Sequence, residues 1–114
     1  MRILVCGSRD WDDREPIDDA LEMYNHSPGV VIHGGARGAD QLAGEIAFDM
    51  GFEVEVFPAD WKLHGKSAGV IRNQQMLDEG KPDIVLAFQK NNSRGTQDMI
   101  NRARKAGVPV TIWR

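Results

Sequence analysis

Three stretches set glycine beside hydroxyl or cationic side chains shortly after apolar runs: Gly7-Ser8-Arg9, His33-Gly34-Gly35-Ala36-Arg37-Gly38-Ala39-Asp40, and Ser93-Arg94-Gly95-Thr96. Such junctions suit anion binding. Glycine lets a ligand approach the backbone with no Cβ in the way, and the unpaired N–H groups of a following helix carry partial positive charge toward it. In the second stretch, Gly34 and Gly35 are expected to make the turn and Gly38 to let the next helix pack closely. Asp40 is expected to cap or join the first helical turn. A carboxylate there repels a phosphate set directly above it, so Asp40 suits capping, or accepting hydrogen bonds from sugar hydroxyls.

Other residues offer further chemistry. Arg72 and Asn73 put a guanidinium beside an amide one turn into a helix, a planar fork for an anion and a group that reads a base or sugar. The plain alternative is an exposed helical face. Trp11 and Trp61 each follow an aspartate in a loop after a strand, where an aromatic ring plugs the core or, less commonly, stacks on a base. Gly65-Lys66-Ser67 imitates the end of a nucleoside triphosphate loop, but that motif requires glycine where Asp60 stands. Lys66 and Ser67 still precede a helix and could touch a ligand. The dinucleotide fingerprint fails too, since it needs glycine at His33 and a place after the first strand. His33 and His64 lack the spacing of a metal site, so neither metal nor cofactor is expected.

The elements that must position these residues follow from periodicity. Strand and helix alternate along the chain, the pattern of an α/β domain with a mainly parallel sheet, here five strands and four helices. Residues 3–6, 30–32 and 84–88 are continuous apolar runs, as in strands covered on both faces. Residues 52–57 alternate through Glu53 and Glu55, and 108–113 contain Pro109, so both are expected at the edges. The helices bury Ile17, Ala20, Leu21 and Tyr24; then Leu42, Ala43, Ile46, Ala47 and Met50; then a face within 68–79; then Met99, Ile100, Ala103 and Ala106. Gly51, Gly80 and Gly107 are expected as C-caps.

Right-handed crossovers with strands three and five outermost predict a Rossmann-like three-layer sandwich with sheet order 3-2-1-4-5. That order reverses between strands one and four, where open α/β sheets bind ligands outside the carboxyl ends of their strands. All three glycine junctions therefore meet at one rim. Arg9, Arg37, Lys62, Lys66, Arg72, Lys90 and Arg94 gather there as a basic mouth.

The 114 residues suit one domain, 1–114, burying roughly two-thirds of its unfolded surface. A formal charge of −3 with 27% charged residues describes a soluble chain with no general attraction to nucleic acid. Cys6 lies inside the first apolar run as a small hydrophobe, and no disulfide can form within the chain. The apolar runs are strand-length, so neither a membrane span nor a signal segment is expected, and the expected setting is reducing and cytoplasmic.

The segments GSRDW, VIHGGARGADQLA, FPADW, HGKSAG, IRNQQML and GTQDM, in this order and spacing, resemble the YspA/cpYpsA-related branch of the SLOG superfamily, across essentially the whole chain. The superfamily joins the DNA-processing A proteins to the Lonely Guy nucleoside 5′-monophosphate phosphoribohydrolases. The G-x-A-x-G-I-D and R-N segments of the former resemble residues 35–40 and Arg72-Asn73. The resemblance implies a Rossmann-like sheet and a nucleotide or nucleotide-derived ligand, and its relatives suggest a homodimer. Lonely Guy enzymes carry P-G-G-x-G-T-x-x-E, whereas this chain reads NNSRGTQDM: Gly95 and Thr96 match, and Met99 takes the glutamate position. Asp98 comes one residue early, a turn of about 100° on a helix, and does not simply replace the glutamate.

Three functions compete at this point. The first is a sensor or sequestering protein for a nucleotide-derived small molecule. Its phosphates are expected on the backbone of Gly34, Gly35, Ala36, Arg37 and Gly38 and of Gly95 and Thr96, with Gly7, Ser8, Arg9 and His33 around them and Arg72 and Asn73 on the sugar or base. The second is hydrolysis of a nucleoside monophosphate at its N-glycosidic bond, with Asp98 or Asp40 as the carboxylate and Arg72 steadying the phosphate. The third, single-stranded DNA binding, has less behind it in an acidic chain without an extended basic, aromatic groove, so no nucleic acid or membrane partner is expected.

Overall fold

A computed structural model describes residues 1–114. The strands β1 (Arg2–Gly7), β2 (Val30–His33), β3 (Glu53–Val56), β4 (Ile84–Phe88) and β5 (Val110–Trp113) form one sheet in the order β3-β2-β1-β4-β5. Every pair in it is parallel. The order is the expected one, with β1 and β4 at its centre and the two strands marked by glutamate and proline at its edges.

Both edge strands begin later than their apolar patterns suggest, for the same reason. The N–H of Phe52 goes to the carbonyl of Ala47 and that of Val108 to the carbonyl of Ala103, closing the preceding helices instead of joining the ladder. Pro109 therefore precedes β5, where it has no N–H to lose, and its carbonyl still accepts from Val85.

Alternation along β1 divides the core in two. Ile3 and Val5 pack with Ile17 and Leu21 of α1 (Arg14–Glu22) and Ala43 and Ile46 of α2 (Ala39–Asp49). Leu4 and Cys6 face the other way, against Met76 and Leu77 of α4 (Ala68–Gly80) and Met99 and Ile100 of α5 (Arg94–Lys105). Tyr24 lies beyond the end of α1 and packs against the first of these cores from the following turn.

The four long helices are joined by an unforeseen one-turn α3 (Trp61–His64), which the Asp60 side chain starts by accepting the N–H of Leu63, and by a 3-10 turn (Gly65–Ser67). Gly80 is also corrected: it is the last residue of α4, and Lys81 takes the left-handed cap at φ 48°. Packing favours glycine at 80, because a Cβ there would lie 3.2 Å from Ile32 Cδ1, tighter than an ordinary contact. No helix is long and apolar enough to cross a membrane.

Candidate functional site

Where the connections from β1 and β4 part, to α1 and to α5, a cavity of about 520 Å³ opens beyond the carboxyl ends of these strands. Its size is that of a small-molecule site. Five cationic side chains line it, Arg9, Lys66, Arg72, Lys90 and Arg94, against two carboxylates, Asp10 and Asp40. Met76 and Val70 of α4 supply an apolar wall, and Gly7 and Cys6 lie on the β1 side. Burial pushes the Cys6 thiol well above its ordinary range, consistent with a small hydrophobe rather than a thiolate.

The 33–40 loop is wired differently from the expected phosphate cradle. Asp40 Oδ2 accepts the N–H of Gly34 at 3.0 Å and of Ala36 at 3.3 Å, and His33 Nδ1 accepts the N–H of Gly35 at 2.9 Å. The N–H of Ala39 goes to the Ser8 carbonyl. The expectation of phosphate on the backbone here is corrected at Gly34, Gly35 and Ala36: their donors already have internal acceptors, so no free amide remains at these positions. The glycines answer to packing instead. A Cβ at Gly34 would run into the Arg72 guanidinium, and one at Gly38, where φ is +79°, into the carbonyls of Ser8 and Arg9.

Asp40 sits at the base of this arrangement, 5% exposed. Burial raises its pKa to about 6, opposed by the hydrogen bond from Ala36, by Arg72, by the hydrogen bond from Gly34 and by Arg9. Its Oδ1 takes no hydrogen bond within the chain, yet it is not sealed from solvent, and Asp40 lines the cavity. One carboxylate oxygen thus holds the loop while the other has no partner within the chain.

Arg72 and Asn73 are braces. Arg72 Nη1 donates to the Gly34 carbonyl at 2.6 Å, and its Nε donates to Asn73 Oδ1 at 3.2 Å. Burial draws the guanidinium below its usual pKa, and Asp40 draws it back up. Asn73 is buried, and its Nδ2 donates to the Gly95 carbonyl and to Asp98 Oδ2. Neither residue forms the exposed helical face that was the plain alternative. Asp98 is corrected as a catalytic candidate: it lies outside the cavity lining, and its carboxylate is held by Asn73 and by Arg102 at 2.8 Å.

The N-terminus of α5 is wired differently from that of the 33–40 loop. No side chain caps it, its first turn has no acidic residue, and the first amide taken up by the helix is that of Gln97. Ser93, Arg94, Gly95 and Thr96 all line the cavity. A Cβ at Gly95 would meet nothing within 4 Å, so packing does not require glycine there. By contrast, α2 carries Asp40 in its first turn, which offsets the positive end of its dipole.

The remaining expected residues divide. Gly7, Arg9, Ala36, Asp40, Arg72, Asn73, Gly95 and Thr96 come together around the cavity. Ser8 does not: it is buried, and its Oγ donates to the Lys90 carbonyl at 2.8 Å while accepting the Lys90 N–H at 2.7 Å, so it ties the two central loops together. His33 lines a separate hollow beside Gly44 of α2, and burial lowers its pKa, in keeping with a neutral ring that accepts at Nδ1. Arg37, Gly34 and Gly35 border an adjoining pocket. Trp11 plugs the core, edge-on to Phe88 at 5.5 Å, whereas Trp61 is half-exposed at the cavity mouth with the Arg9 guanidinium 5.5 Å from its ring centre.

Asp10 and Asn91 also line the cavity and were not foreseen. Their side chains are hydrogen bonded at 2.9 Å, and this bond leads the causes that lower the Asp10 pKa. Their signal in the sequence was position alone, each lying just past the end of a central strand. No group of three or more His, Cys, Asp or Glu side chains is gathered to hold a metal ion.

Two comparisons bear on identity. The Gene 61 protein of Mycobacterium phage D29 is 48% identical over 117 residues, which span 96% of this chain and 93% of the phage protein. The family model described as YspA, cpYpsA-related SLOG matches residues 1–64, which carry β1, the Asp40-wired loop and the one-turn helix of Trp61. On these matches, with the sheet order and the loop they accompany, the chain belongs to the YspA, cpYpsA-related SLOG family.

Proposed function

We propose that this protein binds a small nucleotide-derived ligand and acts as a sensor or sequestering protein for it. The observation that carries this reading is the uncapped N-terminus of α5, opening at Gly95 onto a cavity lined by five cationic side chains. A phosphate suits that position, because backbone donors and the helix dipole act on it together while Arg94 and Lys90 add charge. The sugar and base then extend along the apolar wall of Val70 and Met76. A thermal-shift panel of nucleoside mono- and diphosphates, ADP-ribose and cyclic dinucleotides tests the reading. A ligand at 100 times its dissociation constant adds about 2.7 kcal/mol to stability, and a flat response across the panel would remove it.

One observation favours a second reading, N-glycosidic hydrolysis of a nucleoside monophosphate. Asp40 has the environment of an acid–base group: it lines the cavity, burial raises its pKa to about 6, and one of its oxygens has no partner within the chain. In that role Oδ1 would exchange a proton with the leaving base or with the attacking water, and Arg72 would steady the charge. Incubation with each nucleoside monophosphate, followed by chromatography for free base, decides between the two readings. Release that survives Asp98→Asn and vanishes in Asp40→Asn supports hydrolysis; no release by the unaltered chain leaves binding alone.

A further inference from the structure

We propose that the ligand site has two lobes and that its occupant is a dinucleotide, two nucleosides joined through phosphate, whose second end lies between Trp61 and Arg37. The inference rests on the nucleotide-binding reading above and deepens it.

A second pocket of about 440 Å³ adjoins the cavity and shares Arg9, Ala36, Trp61 and Arg72 with it. Both lobes fall in the size range of small-molecule sites. The second lobe has three arginines, Arg9, Arg37 and Arg72, and no carboxylate among its lining residues. Its backbone amides at Gly34, Gly35 and Ala36 already have acceptors, so an anion in it must be held by guanidinium groups. Arg72 is fixed against the Gly34 carbonyl at the junction, where it borders both lobes.

Trp61 stands at the same junction. It is 50% exposed, lies outside both core clusters, and is presented by a one-turn helix whose cap, Asp60, belongs to the FPADW segment. That segment also contributes Pro58 and Ala59 to the wall of the second lobe. A mononucleotide with its phosphate on α5 occupies the first lobe and leaves Arg37, Pro58 and Ala59, which border only the second lobe, without a ligand. In a dinucleotide the linking phosphates pass Arg9 and Arg72, and the second base reaches the indole.

Calorimetric titration of the full chain tests the inference with the four nucleoside 5′-monophosphates, the pyrophosphate-linked AppA and GppG, and the phosphodiester-linked pApA and pGpG. At least one dinucleotide is expected to bind about tenfold or more tighter than its own mononucleotide, and the tighter linkage class identifies the bridge. Arg37→Ala, at an exposed position, is expected to weaken that dinucleotide about tenfold more than the mononucleotide. Ala59→Leu, which fills the second lobe, is expected to shift the same preference without removing charge. Equal affinity for mono- and dinucleotides, or equal losses on both ligands in the two variants, overturns the two-lobed site while leaving mononucleotide binding intact. Failure of every probe to bind overturns both readings.

Discussion

The carboxylate of Asp40 accepts the N–H of Gly34 at 3.0 Å, across a loop that would otherwise offer that donor to a ligand. This one bond takes up an amide on which phosphate was expected, whereas the start of α5, the other expected position, carries no side-chain cap. It also places a buried charge under the cavity, and that charge has a cost.

The cost is measurable through pH. The Asp40 pKa in the folded protein is about 6, against an ordinary value of 3.8. Below the ordinary value the carboxyl is protonated whether the chain is folded or not. Between 3.8 and about 6 the folded protein keeps a proton that the unfolded chain has released, so this group's contribution to stability falls as pH rises, and above the window it stays low. At about 1.4 kcal/mol per pKa unit, the penalty approaches roughly 3 kcal/mol. Asp40→Asn should flatten this dependence and raise stability at neutral pH by up to that amount, less whatever the loop hydrogen bonds lose. Urea denaturation at about pH 4.5 and about pH 7.5 checks it; parallel pH slopes in the variant and the unaltered chain would remove Asp40 as the cause.

Two glycines that look alike in sequence should respond oppositely to alanine. Gly38→Ala meets both a φ of +79° and the carbonyls of Ser8 and Arg9, so a loss of about 2 kcal/mol or more is expected. Gly95→Ala meets no atom within 4 Å and sits in a helix, so stability should hold or rise by about 0.5–1 kcal/mol. Ligand affinity should nevertheless fall, because the methyl group occupies the space in front of the α5 amides. Melting curves with and without ligand separate the two effects, and undiminished binding by Gly95→Ala would dissociate the α5 terminus from the site.

The contrast shows what the sequence could and could not reveal. Glu53, Glu55 and Pro109 marked the edge strands, and with them the sheet order and the position of the rim. Asp40 was readable as a member of the first turn of α2, but its carboxylate holds Gly34 and Ala36 in the preceding loop instead of capping the helix. What escaped was contact across the chain. A Cβ at Gly34 would displace the Arg72 guanidinium, 38 residues away, and Asp98 is held by Asn73, 25 residues away. A local motif shows that amides could be free but not whether a distant side chain already occupies them. Trp11 and Trp61 share the same local context, and only the β4 residue Phe88 against Trp11 separates core from mouth.

Asn73 should couple α4 to the anion site. Its Nδ2 holds both the Gly95 carbonyl and Asp98, so Asn73→Ala should cost about 1–3 kcal/mol and weaken ligand binding through a looser α5 terminus. Asn73→Asp sets a second carboxylate against Asp98 and should be worse still at neutral pH, recovering as acid neutralises the pair. Melting temperatures of the two variants across acid and neutral pH check this, and identical pH profiles would mean that the Asn73–Asp98 contact is not formed in solution.

Trp61 offers a direct optical report on the site. Trp11 is buried edge-on to Phe88, and Trp113, half-buried, is stacked on the same ring at 4.6 Å, so both tryptophans are packed outside the cavity lining. Trp61 lines the cavity, with the Arg9 guanidinium over its ring. A nucleotide entering the mouth should therefore change the emission of Trp61 and leave the other two almost unmoved. Trp61→Leu should abolish that change and alter stability by less than about 0.5 kcal/mol, whereas Trp11→Ala should cost about 3–5 kcal/mol. Fluorescence titration of the unaltered chain and Trp61→Leu, with urea melts of both variants, gives all three quantities. A ligand-dependent signal that persists without Trp61 would move the binding event away from this mouth.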